Sequence, residues 1–434
     1  MSHSHDLAPA TTGERGVALP MALIALVLLT TLMLAFGMLA QTEPVIAGNQ
    51  LRSSQARALA ESGFEYALWA LTEGVVNPGA AHGLGSPLPS PPPAPFDGTF
   101  VRLGGTGGFV VTVENDPGGD PSVREVTSVG WTPSNAAGAG ARAHRRVRGS
   151  VVLLPNLALR APCVLCVRGD LQIGGYAAVD ANNSDAGGRC GGNDRYGTYT
   201  EGSTAIAASA ATIAGGNASC TAGRTCVALG QPAATFDPFT YSDAGLTALK
   251  ALALKNGTYF GPGFSGSTDA QGKAVAGSYS GAVRFTDGVG HQVANGVVFV
   301  DTTDGLNLDP RRTDTSTLAA VQIDGHPFID PSGNFAGVII VNGSLDIAGG
   351  MQINGLVYVV NDLTYNATGS GAINGLVITQ NIRDTAATAI SGAPPEGGPR
   401  RTSMINFDCQ RASGQGFIPP GFVLVPGTYR ERPD

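Results

Sequence analysis

The stretch Gly13–Gln41, GERGVALPMALIALVLLTTLMLAFGMLAQ, decides how the rest of the chain is read. Val17 to Ala40 is 24 residues without a charge. As a helix rising ~1.5 Å per residue, it is just long enough to cross the hydrocarbon core of a bilayer. The chain does not turn back there. It continues as EPVIAGNQLRSSQARALAESGFEYALWALTEG (43–74), rich in helix formers, with Leu51, Leu59, Phe64, Leu68 and Leu71 recurring at roughly helical spacing. One helix of about 55 residues is expected, apolar in its first half and amphipathic in its second. Pro20 suits a first helical turn, and Gly37 and Pro44 are candidate weak points.

A cleaved secretory signal has a shorter apolar run followed by a small-residue cleavage site, which this segment does not resemble. A plain membrane anchor is the simpler alternative. Arg15 before the run and Arg52 and Arg57 after it do not settle orientation by charge.

The combination of a polar leader ending in Gly16, an apolar helix from Val17, and the downstream AGNQ, R, QA and A-E-x-G pattern (Ala47 to Gly63) resembles the N-terminus of type IV pilins, most closely the PilX-type minor pilins. The resemblance covers about 60 residues. It implies cleavage between Gly16 and Val17 by a prepilin peptidase, methylation of the new amino group of Val17, residence in the inner membrane with the head in the periplasm, and then packing among other pilin and minor pilin subunits in an extracellular filament. Major pilins carry Glu at the fifth mature position, and here that position is Met21. Without this carboxylate the subunit lacks one attachment to a subunit ahead of it, which implies a place at or near the filament tip. K-type pseudopilins of type II secretion share the lack.

Composition bounds the remainder. The 434 residues have room for two or three domains; 43% are hydrophobic and 14% charged, with net charge -7, so no specific nucleic-acid partner is indicated. Sixty-two Gly and 6% aromatics point to a turn-rich β protein. The expected class is α+β, divided into a leader (1–16), a membrane and filament-core helix (17–40), its amphipathic continuation (41–76), a Pro-rich linker (77–97), a pilin-like antiparallel sheet (98–155), a β-rich head expected to be a β-solenoid (156–390), and an irregular tail (391–434) to which FVLVPGTY (422–429) could add a last strand. The linker carries seven Pro. FVRL, GGFVVTVEND, SVREVTSVGW and ARAHRRVRGSVVLL read as four strands, the last two with alternating apolar residues that would pack on the amphipathic helix. The basic run Arg142, His144, Arg145, Arg146 and Arg148 reads first as the exposed face of a final strand. Its functional alternative is a patch for acidic headgroups, surface polysaccharide or DNA.

The head reading rests on a repeat. NGVVFVD (295–301), AGVIIVN (336–342), NGLVYVV (354–360) and NGLVITQ (374–380) align on Gly296, Gly337, Gly355 and Gly375, with spacings of 41, 18 and 20. A unit near 20 residues that cannot bury its own face implies stacking, each unit on the last. VRGDLQIGG (167–175) reads as an earlier rung, Asp180 to Ala234 as a surface excursion held by disulfides, and SDAGLTALKALALK (242–255) as a short capped helix lying on the stack.

The six cysteines, Cys163, Cys166, Cys190, Cys220, Cys226 and Cys409, admit fifteen pairings. Cys163 with Cys166 and Cys220 with Cys226 are close enough to pair locally, leaving Cys190 to reach Cys409. Zinc at Cys163, Cys166 and Cys190 lacks a completing His, and VLCVRG is strand-like rather than the helix start a redox C-x-x-C wants, so structural disulfides are expected. Asp180, Asn182, Ser184 and Asp185 imitate a calcium loop without its closing Glu, and DTTDGLNLD (301–309) reads as turns. The rival from another class is a membrane-anchored carbohydrate-active enzyme on a β-solenoid, for which Asp324, Asp330, Asp346 and Asp362 show no paired spacing and His291 and His326 complete no triad. No catalytic residue, metal or cofactor is expected. A tip adhesin or surface ligand is the open partner of the head.

Overall fold

The computed structural model describes residues 18–136, 142–182, 195–206, 211–215, 218–220, 226–260, 294–301, 334–348, 350–367, 371–381, 388–392, 403–418 and 421–432, with short strands at 267–268, 274–275, 284–285 and 321–324. The chain has mixed α+β architecture: a stem of one long helix on an antiparallel sheet, and a head of parallel ladders.

Helix α1 (Ala18–Val76) is continuous for 59 residues and passes through Pro44. Its second half lies on β1 (Asp97–Leu103), β2 (Gly107–Asn115), β3 (Val123–Thr132) and β4 (Ala143–Leu154), which form an antiparallel meander in sequence order. Ala56, Ala60, Phe64, Ala67, Ala70 and Leu71 are buried against Phe109, Val111, Val126, Val147 and Val151. Small residues on α1 allow close approach. A Cβ placed on Gly130 of β3 would fall 2.1 Å from the Ala56 carbonyl oxygen, so this crossing requires glycine. The Pro-rich segment is no free spacer: Leu84, Leu88 and Phe96 are buried in the stem core and the Leu84 amide donates to the Ala70 carbonyl at 2.8 Å.

Nor is β4 the last strand of the stem. The chain leaves it at Leu154, builds the head, and returns so that Gly421–Leu424 and Arg430–Arg432 pair antiparallel with its outer edge. The tail, expected to be irregular apart from a last strand at FVLVPGTY (422–429), thus supplies two stem strands, and Phe422 joins the stem core. The head is inserted between β4 and these C-terminal strands.

The repeated NG-apolar units become in-register parallel ladders. Gly296, Gly337, Gly355 and Gly375 align across neighbouring strands, and the Val, Ile and Leu that follow form buried columns. Each of these glycines has positive φ, from 131° to 159°. A Cβ on Gly355 would meet the Gly337 carbonyl oxygen at 1.8 Å. At Gly375 the strand also changes one partner: 372–374 pair with 404–406, whereas 377–379 pair with 165–167. The Asn before it has its own reason. Asn374 Nδ2 donates to Asn354 Oδ1 at 3.0 Å, and Asn406 Nδ2 to Asn374 Oδ1 at 3.1 Å. A second parallel sheet runs through Val321–Asp324, Leu345–Ala348, Leu363–Ala367, Thr388–Gly392, Leu171–Ile173 and Thr204–Ile206. The chain passes from one sheet to the other and back in each unit of about 20 residues.

Stacking departs from the expected order in one respect. Strands Cys163–Val167, Leu171–Ile173 and Ala177–Asp180 do not precede the NG units but stack after the last of them. The segment expected to be an excursion, 180–234, contributes the next layer through Tyr196–Thr200, Thr204–Ile206 and Thr212–Gly215. From Val227–Ala228 at one end of the stack the chain must therefore travel back to Tyr259–Phe260 at the other. The Asp243–Asn256 helix carries part of that return, capped by Ser242, whose hydroxyl accepts from the Gly245 amide at 3.2 Å. Leu246 and Leu249 are buried in the head core as its aliphatic stripe predicts, and Ala248 meets Val123 and Val152 of the stem.

Candidate functional site

Two surfaces stand out: the first half of α1 and a basic cleft on the stem sheet. From Ala18 to Ala40 every described side chain of α1 is exposed, including Leu19 at 74%, Met21 at 66% and Phe36 at 65%. Burial begins only where the stem sheet begins. Thr30 and Thr31, the polar side chains in the apolar run, bond back to the carbonyls of Leu26 and Val27 at 2.9 Å, which lets them sit in apolar surroundings. The helix is long and apolar enough to cross a membrane. Gly16 and Val17 lie outside the described residues.

The basic run of β4 divides between faces. Arg145 reaches α1, donating from Nε to the Ser53 hydroxyl at 2.9 Å, and Arg142 and His144 pack on Trp131. Arg146 and Arg148 are on the face opposite Arg145, the outer face that also carries Trp131 and His144, and Arg432 and Arg430 stand directly across from them. These four arginines, with Glu125, Thr127, Ser150 and Thr428, line a cleft of about 380 Å³. Glu125 bonds Arg148 and accepts from the Ser150 hydroxyl at 3.1 Å. Glu431 is directed elsewhere, 3.5 Å from Arg57 of α1. Sequence reading found half of this cluster. The alternating Arg-Glu-Arg at 430–432 was the available signal for the rest, but nothing local says which strand it joins.

Cys163 and Cys166 form a disulfide within one buried strand, their Cα atoms 5.7 Å apart. Cys226 and Cys409 are buried and disulfide-bonded. Cys190 and the side chain of Cys220 lie outside the described residues, so the expected pairings Cys220 with Cys226 and Cys190 with Cys409 do too. Asp180 spends one carboxylate oxygen on the Asn182 amide and side chain, at 2.9 and 2.7 Å, closing a turn; Ser184 and Asp185 are outside the described residues. Among the described residues no group of three His, Cys, Asp or Glu is placed to hold a metal. Asp346 and Asp362 sit in the second parallel sheet and the corner before it, Asp362 beside Asn361 at 3.3 Å, while the side chains of Asp324, Asp330, His291 and His326 are outside the described residues.

Two titratable groups show what the fold does to charge. Asp170 at a head corner accepts from the Ser203 amide at 2.6 Å and hydroxyl at 2.8 Å, which holds its carboxyl below the usual range. Burial pushes the Tyr241 phenol up, with Tyr358 beside it.

No family model matches the chain, and no curated protein matches it. Among solved structures, the competence-associated pilin ComZ from Thermus thermophilus is similar to it at 13% identity and a TM-score of 0.23, over 88% of this chain and 98% of that one. That likeness is too weak to carry fold or function.

Proposed function

We propose that this chain is a pilin-like structural subunit, a minor pilin of the PilX type that inserts through its apolar helix, is processed by a prepilin peptidase before Val17, and enters a type IV filament at or near the tip. The single supporting observation is the division of α1: one unbroken helix whose first half is wholly exposed and apolar and whose second half is buried on an antiparallel sheet. An exposed apolar run this long needs lipid or other helices around it. A rigid continuation into the stem transmits that anchoring to the head. The head is then a β-solenoid display unit, assembled from two chain segments and held to the stem at both of its ends.

Met21 supports the tip position. Among packed apolar helices a carboxylate is tolerated only when paired, so a subunit with methionine there neither needs nor offers that pairing. The partners would be neighbouring pilin and minor pilin subunits, the inner membrane before assembly, and a surface ligand or tip adhesin after it.

The test is fractionation of cells carrying an epitope-tagged chain. The tagged chain should appear among sheared surface filaments when the prepilin peptidase is present and remain in the membrane when it is deleted. Recovery from the membrane alone in both strains would contradict the proposal.

A further inference from the structure

The outer face of the stem sheet carries an arrangement that folding alone does not favour. Arg148 faces Arg430 and Arg146 faces Arg432 across adjacent antiparallel strands. Like charges directly opposite one another destabilise a sheet. Charges on an edge strand discourage edge pairing, which accounts for Arg430 and Arg432 but not for Arg146 and Arg148 on the inner strand. Among the described residues lining the cleft, Glu125 is the acidic one against four arginines, and it bonds Arg148. Two residues along a strand span about 7 Å and neighbouring strands are about 5 Å apart, so four guanidinium stems rise from a patch of that size. The Thr127 hydroxyl is on the same wall, while the Ser150 and Thr428 hydroxyls give their protons to Glu125 and to the Val425 carbonyl. This is a concentration of positive charge on a chain whose net charge is -7.

We propose that this cleft binds the sulfate or phosphate esters of an anionic glycan. Arginine forks and hydroxyls are the donors that tetrahedral oxyanions take, and two or more esters along one chain would engage several arginines together. None of the described residues lining the cleft is aromatic, and Trp131 farther along the same face is covered by His144 and Arg142, so the cleft offers no open ring for the stacked bases of a single-stranded nucleic acid. Lipid headgroups are out of reach. The contact between Glu431 and Arg57 sets the cleft beside residue 57 of α1, about 25 Å along the helix beyond Ala40, several screening lengths from a membrane surface.

The experiment uses the full chain in a non-ionic detergent, titrated with a fluorescent, size-defined heparin oligosaccharide at near-physiological salt. Arg146→Ser with Arg432→Ser should weaken binding at least ~10-fold, since each removes charge-assisted hydrogen bonds. Arg102→Ser with Arg160→Ser makes the same change in net charge on exposed sites elsewhere and should leave binding within about twofold. Competition by inorganic polyphosphate would identify the phosphate ester as the preferred group, and failure to compete would identify the sulfate ester. Three results would overturn the proposal: no binding, equal loss in both double variants, or tighter binding of a single-stranded oligonucleotide or polyglutamate of matched charge.

Discussion

Lys250 and Asp301 meet at 2.5 Å in the interior of the head, their side chains 3% and 0% exposed. The pair joins the returning helix to the first NG strand, and Asp301 also accepts from the Tyr259 hydroxyl at 3.3 Å and the Asn342 amide at 2.9 Å. Buried pairs of this kind add little when both members are exchanged for apolar residues but cost much when one is removed. Asp301→Ala is expected to destabilise the head by about 3–5 kcal/mol, and Lys250→Met with Asp301→Leu by much less. The two tryptophans, Trp69 and Trp131, both lie in the stem, so far-UV dichroism rather than tryptophan fluorescence is the signal for this test. Equal effects of the single and double variants would show that the pair is not desolvated.

The glycine column makes a sharper prediction. Gly355→Ala has no room, with the Gly337 carbonyl oxygen 1.8 Å from the new methyl. It should cost more than about 2 kcal/mol through displaced backbone. Gly104→Ala, also at positive φ but with open space around it, should cost only about 1 kcal/mol. Urea unfolding of both variants checks the contrast.

Removal of residues 419–434 strips two strands from β4 and takes Phe422 out of the stem core. A buried Phe alone is worth about 3 kcal/mol. The truncated chain should lose stability in its tryptophan transition and, with the β4 edge open, associate with rising concentration in light scattering. An unchanged transition would mean that the C-terminal strands do not support the stem.

Acid should loosen the corner at Asp170. Because its folded pKa is depressed by the Ser203 donors, the stability it contributes is present above the unfolded carboxylate value of about 3.9 and is lost as pH falls through the folded value. Asp170→Asn should therefore lower head stability at pH 7 and remove part of the decline below pH 4. A parallel pH dependence in the variant would assign that decline to other carboxylates.

Where the sequence was readable, the signal was local. An uninterrupted apolar run, Ser242 before an aliphatic stripe, and the recurring glycine before an apolar strand each report a short-range requirement: bilayer length, an unsatisfied helix amide, a backbone corner. What escaped depended on partners distant in sequence. Arg-Glu-Arg at 430–432 acquires meaning only beside Arg146 and Arg148, nearly three hundred residues earlier. The 163–180 segment has the pattern of a rung, but its place after the last NG unit is set by which ladder edge is left open, and no periodicity encodes that. Strands at 196–200 and 212–215, YGTYT and TIAG, were hidden because Gly, Ala and Thr around single larger residues give no apolar alternation. The Pro-rich segment misled for a related reason: its composition reads as a spacer, while Leu84, Leu88 and Phe96 pin it to the stem.

The central claim, that α1 is the shared core helix of a processed filament subunit, is tested most directly by intact mass and N-terminal sequencing of the chain taken from sheared filaments or native membrane. The account predicts a chain that begins at N-methylated Val17. A chain beginning at Met1, or cut after Ala40, would contradict it and leave an anchored or secreted head with no filament to join.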